Sequence, residues 1–285
     1  MTVIKENKIK KVFRILSKFL LILFIKIIQP LFRMLDISIY PPYSKINDFD
    51  YIYSSETRRL VFNLKKKETF NKIFIDTSLN KSLLCNLGKK FSTNKSPLNI
   101  TGHRSGFTGI YNLLFSSMKD KKINFAEIGI EKNSSIKMWR EFFSLANIHA
   151  FEFDEKKIEN GKNDNLKNTF YHNIDVRNAT SILNSFHEID SKFDIIIDDS
   201  THNFNDQINI VKNCHQFLNN NGILVLEDIY KYRKDYSELN YFNSLNDLKH
   251  LFSEIVFIET SHINNYTANW RNEKILLFVR NDKKN

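Results

Sequence analysis

The sequence predicts an α/β protein built on a mostly parallel sheet, and three observations predict it. From Lys122 onward, short apolar, β-branched runs alternate with helical runs of about 10–16 residues, the rhythm of βαβ units. Two of the apolar runs end in polar clusters: residues 193–197 lead into Asp198, Asp199, Ser200, Thr201 and His202, and residues 222–226 into Glu227 and Asp228. The first run ends at Gly129, with Asn133, Ser134 and Ser135 just beyond it, which reads as strand, tight turn and helix start.

In chain order, residues 8–35 form a basic amphipathic pattern. Lys11, Arg14, Lys18, Lys26, Gln29 and Arg33 fall within roughly a third of a helix circumference, and Phe, Leu and Ile fill the rest. The longest apolar run, 19–25, is far short of the ~20 residues that a membrane span needs. No small-residue cleavage site follows the basic start. A helix lying on a membrane surface, a helix packing on its own core or on a second subunit, and a true membrane anchor are the three readings. Pro30 should end or kink it.

Residues 37–55, with Pro41-Pro42, read as an extended connector, and 58–91 as helical pieces. Residues 94–106 are loop-like and carry His103 and Arg104, candidates for an anionic or sugar-like substrate. Residues 107–118 read as an amphipathic helix. Strands are then expected at 123–130, 148–153, 169–174, 193–198 and 222–229. Helices are expected at 134–145, 155–166, 179–189 and 203–218. A helix near 244–252 and two late strands, 255–260 and 274–280, suggest an antiparallel edge hairpin. Three parts result: an N-terminal helix (1–36), a connector and helical extension (37–99), and a catalytic-type domain (100–285).

Charge and cysteine content narrow the class. The net charge is +10, but residues 1–36 hold eight Lys/Arg against Glu6 and Asp36 and so carry +6 of it. That distribution argues against nucleic acid as a partner, which would require a basic face on the folded domain. Cys85 and Cys214 have neither metal spacing nor a disulfide framework and read as buried free thiols, fitting a reducing, cytoplasmic compartment. The basic helix adds the inner membrane face as a peripheral site.

Neither G-x-G-x-x-G nor a P-loop is present, so a pyrophosphate cradle is not expected. An acid sits instead on the first strand (Glu127), at the end of the second (Glu152) and at the end of the third (Asp175). Glu152 is placed to accept both hydrogen bonds of a ribose diol, and Asp175 to reach an adenine amino group. Three such acids without a phosphate loop point to S-adenosylmethionine. If the strands ending at Asp199 and Glu227-Asp228 are neighbours, three carboxylates converge, and oxygen-only ligation suits Mg²⁺, Ca²⁺ or Mn²⁺.

Five stretches carry a family resemblance: EIGIEKNSSIKMWREFF (127–143), AFEFD (150–154), IIIDDSTHNFNDQI (195–208), NNGILVLEDI (220–229) and ETSHINNYTANWRNEKILLFVR (259–280). Together they resemble class I S-adenosylmethionine-dependent methyltransferases, above all the metal-dependent sugar O-methyltransferases of the macrocin and mycinamicin type. The resemblance covers residues 100–280. It implies a Rossmann-like, seven-stranded methyltransferase sheet with a reversed last hairpin. It also implies Mg²⁺ on Asp199, Glu227 and Asp228, with His202 as general base. Cofactor contacts are implied at Glu127, Gly129, Asn133, Ser134, Glu152, Asp175 and Asp198, and the acceptor is a hydroxyl on a sugar or glycan precursor. The family has glycines where this chain has Asn133 and Ser134, whose Cβ atoms are expected to crowd the cofactor's methionine portion. That departure keeps open a decayed, membrane-apposed scaffold on the same fold, and the resemblance itself, some of whose relatives are described as hydroxylases, keeps open a hydroxylase-like relative.

Overall fold

The run FDIIID forms β5 (Phe193–Asp198), in which every residue but Asp194 is buried. A strand buried on both faces needs cover on both sides, and helices supply it. The computed structural model describes residues 69–267 and 272–281, together with a few helical positions between residues 16 and 31. β2 (Asn124–Ile128), β3 (Asn147–Glu152), β4 (Thr169–Asn173) and β6 (Leu218–Leu226) run parallel to β5. β8 (Lys274–Arg280) is antiparallel to both its neighbours, β6 and β7 (Phe252–Ser261). The sheet order is β1-β7-β8-β6-β5-β2-β3-β4, with β1 (Asn71–Asp76) parallel to β7 at the edge.

Strand alternation divides the core into two layers. Phe125, Ile195, Ile197 and Val225 face α1 (Leu83–Lys90), α2 (Phe107–Phe115) and α3 (Ser134–Phe142). α4 (Glu155–Asn163) lies against β4 so closely that Gly161 faces the Tyr171 ring. Ala126, Ile128, Ile196 and Leu224 face α5 (Ala179–His187), α6 (Phe204–Cys214) and α7 (Glu238–Leu245). Ser82, Asp154, Asn178, Asn203 and Ser237 each cap a helix by accepting a backbone N–H. Both cysteines are free and buried.

Several expectations change. The described sheet has eight strands, because Asn71–Asp76, within a stretch expected to be helical, adds to the edge. Residues 69–99 therefore belong with the sheet: the chain divides into Met1–Glu68 and Thr69–Asn285. The expected helix at 244–252 begins instead at Glu238, where Ser237 caps it, and passes into a 3₁₀ stretch at Asn246–Leu251. β6 begins four residues earlier than expected and stops at Leu226, which leaves Glu227 and Asp228 in the loop beyond it.

In the first unit, the described helical residues Leu16, Phe19, Leu20, Leu23, Phe24, Ile27 and Leu31 are exposed. Pro30 and Leu31 are themselves helical, so the helix does not end at the proline. The connector at 37–55 and Trp270 lie outside the described residues. Among the described residues, no helix is long and apolar enough to cross a membrane.

Candidate active site

The sheet changes its direction of growth between β2 and β5, the place where open α/β folds bind ligands. Gly129, just past β2, has φ +92°, and a Cβ there would lie 2.3 Å from the Asp199 carbonyl oxygen. Only glycine lets the loops after β2 and β5 meet this closely. Asp199 N–H donates to Ile128 O at 2.8 Å and Gly129 N–H to Phe151 O at 2.8 Å, so three strand ends are tied together.

A cavity of about 680 Å³ opens over this point, within the range of small-molecule and cofactor sites. Gly129, Ser134, Glu152 and Asp175 line one part of it, and Asp199, His202 and His103 line another. Glu152 is fixed by its neighbours: Oε1 accepts from Phe153 N–H and Asp154 N–H, and Oε2 from Ile130 N–H at 3.2 Å. Asp175 also borders the cavity, but both its oxygens accept from the Arg177 guanidinium, at 2.7 and 2.9 Å. That pair holds the Asp175 carboxyl below its ordinary range. The same guanidinium stacks 4.7 Å over the Phe153 ring.

Three expected cofactor residues, Glu127, Asn133 and Asp198, do not line the cavity. Asn133 takes the left-handed turn (φ 62°) and begins α3 without a side-chain cap. Its Nδ2 donates to Asp164 Oδ2 and Tyr171 Oη, each at 2.8 Å, which draws the side chain toward α4 and β4 rather than into the cavity. The expected crowding by Asn133 is thus relieved, while Ser134 remains on the wall. Asp198 belongs to the opposite face of the sheet from Glu127, and its Oδ1 accepts from Ser200 N–H and Oγ–H. Burial pushes its carboxyl up to about 6.

At the strand ends the carboxylates separate into two groups. Glu227 faces inward: Oε1 accepts from Tyr111 Oη at 2.7 Å and Oε2 from Lys95 Nζ at 2.5 Å. Lys95 Nζ also donates to Asp199 Oδ2 at 2.6 Å and lies 3.2 Å from Glu127 Oε1. Burial alone would lower the Lys95 pKa, but Asp199, Glu227 and Glu127 outweigh it and hold the ammonium well above its usual range. Burial raises Glu127 to about 7 against the pull of Lys95. Facing outward, His202 Nε2 is 3.3 Å from Asp228 Oδ2 and 3.9 Å from Asp199 Oδ1. Burial would lower His202, but Asp228, Asp199 and Asp198 raise it above its ordinary value. Both His202 (φ 54°) and Asp228 (φ 56°) occupy the left-handed region, a strain that clusters at functional sites.

The donor set fits a divalent cation in part. Asp199, His202 and Asp228 offer ligand atoms within 4.8 Å of one another. Asp228 Oδ1 is buried with no hydrogen-bond partner. Mg²⁺ is commonly bound through one or two carboxylates and keeps several waters, and Asp199 with Asp228 satisfies that. Glu227, expected as a third ligand, does not, because Lys95 and Tyr111 occupy both its oxygens.

Arg104, a candidate substrate contact, is occupied: its side chain donates to the carbonyls of Asn264 and Gly102 and stacks on Tyr266. Lys95 and Tyr111 carried no signal in the sequence. Lysine is abundant throughout this chain, and a tyrosine inside an apolar helix reads as core.

No family model matches the chain. A curated Streptomyces olivaceus protein, 8-demethyl-8-(2-methoxy-alpha-L-rhamnosyl)-tetracenomycin-C 3'-O-methyltransferase, is 26% identical over 131 residues, 44% of this chain and 32% of that enzyme. The chain thus matches about a third of the length of that relative. Among solved structures, the MycE methyltransferase of the mycinamycin biosynthetic pathway, in complex with Mg and SAH, superposes with a TM-score of 0.53 at 18% identity. That match covers 72% of this chain and 57% of MycE. MycE with Mg, SAH and mycinamycin VI gives a TM-score of 0.52 at 18% identity, over 72% and 55%. The fold is that of the class I S-adenosylmethionine-dependent methyltransferases, and the chain resembles MycE within it.

Proposed function

We propose that this chain, folded as class I methyltransferases are, moves a methyl group from S-adenosylmethionine to a hydroxyl oxygen of a small-molecule or glycan acceptor. The observation that carries the reading is His202, held at the cavity between the carboxylates of Asp199 and Asp228 and raised in basicity by them. The carboxylates of Asp228 and Asp199 lie on the Nε2 side of the ring, at 3.3 and 3.9 Å, and Nδ1 is buried without a hydrogen-bond partner. His202 takes the acceptor's hydroxyl proton as the oxygen attacks, and the two carboxylates stabilise the imidazolium that results. Because attack on the methyl is in line, the protein's remaining task is positioning.

Glu152, oriented by three backbone N–H groups, is the residue to receive the cofactor's ribose. Ser134 and the Gly129 turn border its amino-acid end, Glu127 lies beneath, and Asp175 reaches the adenine side. Asp199 and Asp228 would hold Mg²⁺. When bound, the cofactor supplies the methyl group and the metal lowers the pKa of the hydroxyl. The name of the curated relative, which includes a rhamnosyl group, supports a glycosylated acceptor, and MycE, crystallised with mycinamycin VI, supports a small-molecule one. The exposed apolar positions between 16 and 31, beside the basic pattern of 8–35, support a lipid surface as a further partner, which flotation with anionic vesicles would test.

Calorimetric titration with S-adenosylhomocysteine, with and without Mg²⁺, is the deciding experiment. Micromolar binding is expected. Absence of binding in both conditions would sink the methyltransferase reading.

A further inference from the structure

The proposed metal pair leaves Lys95 unexplained. It is 2% exposed, yet its ammonium contacts three carboxylates that come from three different strand ends. The loop that carries it is braced from several directions. Ser96 Oγ donates to Cys85 O at 2.7 Å, and Ser105 N–H to Asn94 O at 2.7 Å. Thr108 N–H, in the first turn of α2, donates to the Lys95 carbonyl at 3.2 Å. Gly88 of α1 lies so close that a Cβ there would meet Ser96 Cβ at 2.5 Å. Lys95 is therefore held at the carboxylates by α1 and α2 together.

Its charge sits where a metal ion shared by Asp199 and Glu227 would need to be. One cation can satisfy those oxygens, and a buried ammonium hydrogen-bonded to two of them excludes a second by repulsion. The outer face of Asp199 stays open, because Lys95 uses Oδ2 and leaves Oδ1 turned toward His202. Asp228 Oδ1 is buried and has no hydrogen-bond partner, and Asp199, His202 and Asp228 bring ligand atoms within 4.8 Å of one another.

We propose that Lys95 is a tethered cation built into this site: its ammonium occupies the position among Glu127, Asp199 and Glu227 and confines divalent-cation binding to Asp199 and Asp228. Lys95 is a positioning residue in this scheme. It fixes the Asp199 carboxylate so that one oxygen serves the protein and the other serves the site. The inference rests on the reading of Asp199 and Asp228 as the metal pair, and Glu227 becomes a partner of Lys95 and not a ligand.

The test is Mn²⁺ binding to the full chain, followed by electron paramagnetic resonance, with no turnover required. Glu227→Gln should bind Mn²⁺ within about threefold of the wild type, whereas Asp228→Asn should bind about tenfold or more weakly. Lys95→Ala should bind about tenfold or more tightly, since three carboxylates then lack a counter-charge. If Lys95→Ala folds only when Mn²⁺ is supplied, the proposal is equally supported. A wild type that binds no Mn²⁺ would overturn it, since Asp199 and Asp228 would then not be a metal pair. Loss of about tenfold or more in Glu227→Gln would overturn it, as would a folded Lys95→Ala no tighter than the wild type. Binding of S-adenosylhomocysteine in the same samples tests the methyltransferase reading separately, so the two ideas fail independently.

Discussion

At the scale of single residues, His202 carries the most testable chemistry. Replacing it with glutamine should reduce methyl transfer by about 10²–10⁴-fold, the usual contribution of a general base. Affinity for S-adenosylhomocysteine, measured by calorimetry, should stay nearly unchanged; retained turnover would remove His202 from the mechanism. The imidazole must be neutral to accept a proton, so turnover should climb with pH and then level off. Without a divalent cation, Asp228 and Asp199 raise the His202 pKa above its ordinary value; a cation on those carboxylates withdraws that support, so the rising limb should lie at lower pH with Mg²⁺ than without it. A rate that falls across the rising limb would contradict the assignment. His202 and Asp199 were legible because two carboxylates and an imidazole follow a buried strand directly in the sequence. Lys95 was not, since it comes from a loop about a hundred residues away and its role exists only once α1 and α2 have placed it. The placement of the Asn133 side chain was hidden for a related reason: its sequence neighbours Gly129 and Ser134 line the cavity, but its side-chain partners, Asp164 and Tyr171, come from elsewhere.

Among the elements, the turn after β2 and the β3–β4 pair give separate predictions. Gly129→Ala places a methyl 2.3 Å from a backbone oxygen at a φ that alanine disfavours. It should cost about 2 kcal/mol or more in denaturant unfolding, since no flexible side chain can move aside. On β3 and β4, His149 Nδ1 lies 3.0 Å from His172 Nε2 within an aromatic stack that includes Phe170 and Phe193. Burial lowers the His149 pKa from 6.5 to about 4. Above pH 6.5 the imidazole is neutral whether the chain is folded or not, so its full contribution to stability is present. As pH falls from 6.5 toward 4, the unfolded chain takes up a proton that the folded one refuses, and stability drains away. His149→Phe should therefore flatten the dependence of melting temperature on pH across that window; an unaltered dependence would place the effect elsewhere. The five parallel strands were readable from their apolar runs. β1 was hidden, because one edge strand with exposed side chains has no apolar face to announce it and depends on β7 for its pairing.

For the molecule as a whole, the sheet and both of its helical layers lie within Thr69–Asn285. A chain begun at Thr69 should melt cooperatively and bind S-adenosylhomocysteine as the full chain does. A start two residues later should not behave as well, because Phe70 is buried against Phe242 and Phe257. Circular dichroism melts of the two truncations would compare them. The succession of strands along the chain from β2 to β8 was foreseeable from the apolar runs; the eighth strand was not, and with it the start of this unit at Thr69. That eighth strand also bears on how the protein is made. Asn71 stands opposite Val256, so the first of the described strands to leave the ribosome waits for one of the last. At about 5–20 residues per second, the delay is on the order of 10–40 s. Throughout it Ile73 and Phe74, exposed even in the finished fold, sit on an unpaired backbone. The nascent chain thus presents a ready substrate for chaperones for most of its synthesis, and the edge closes only when the C-terminal hairpin arrives.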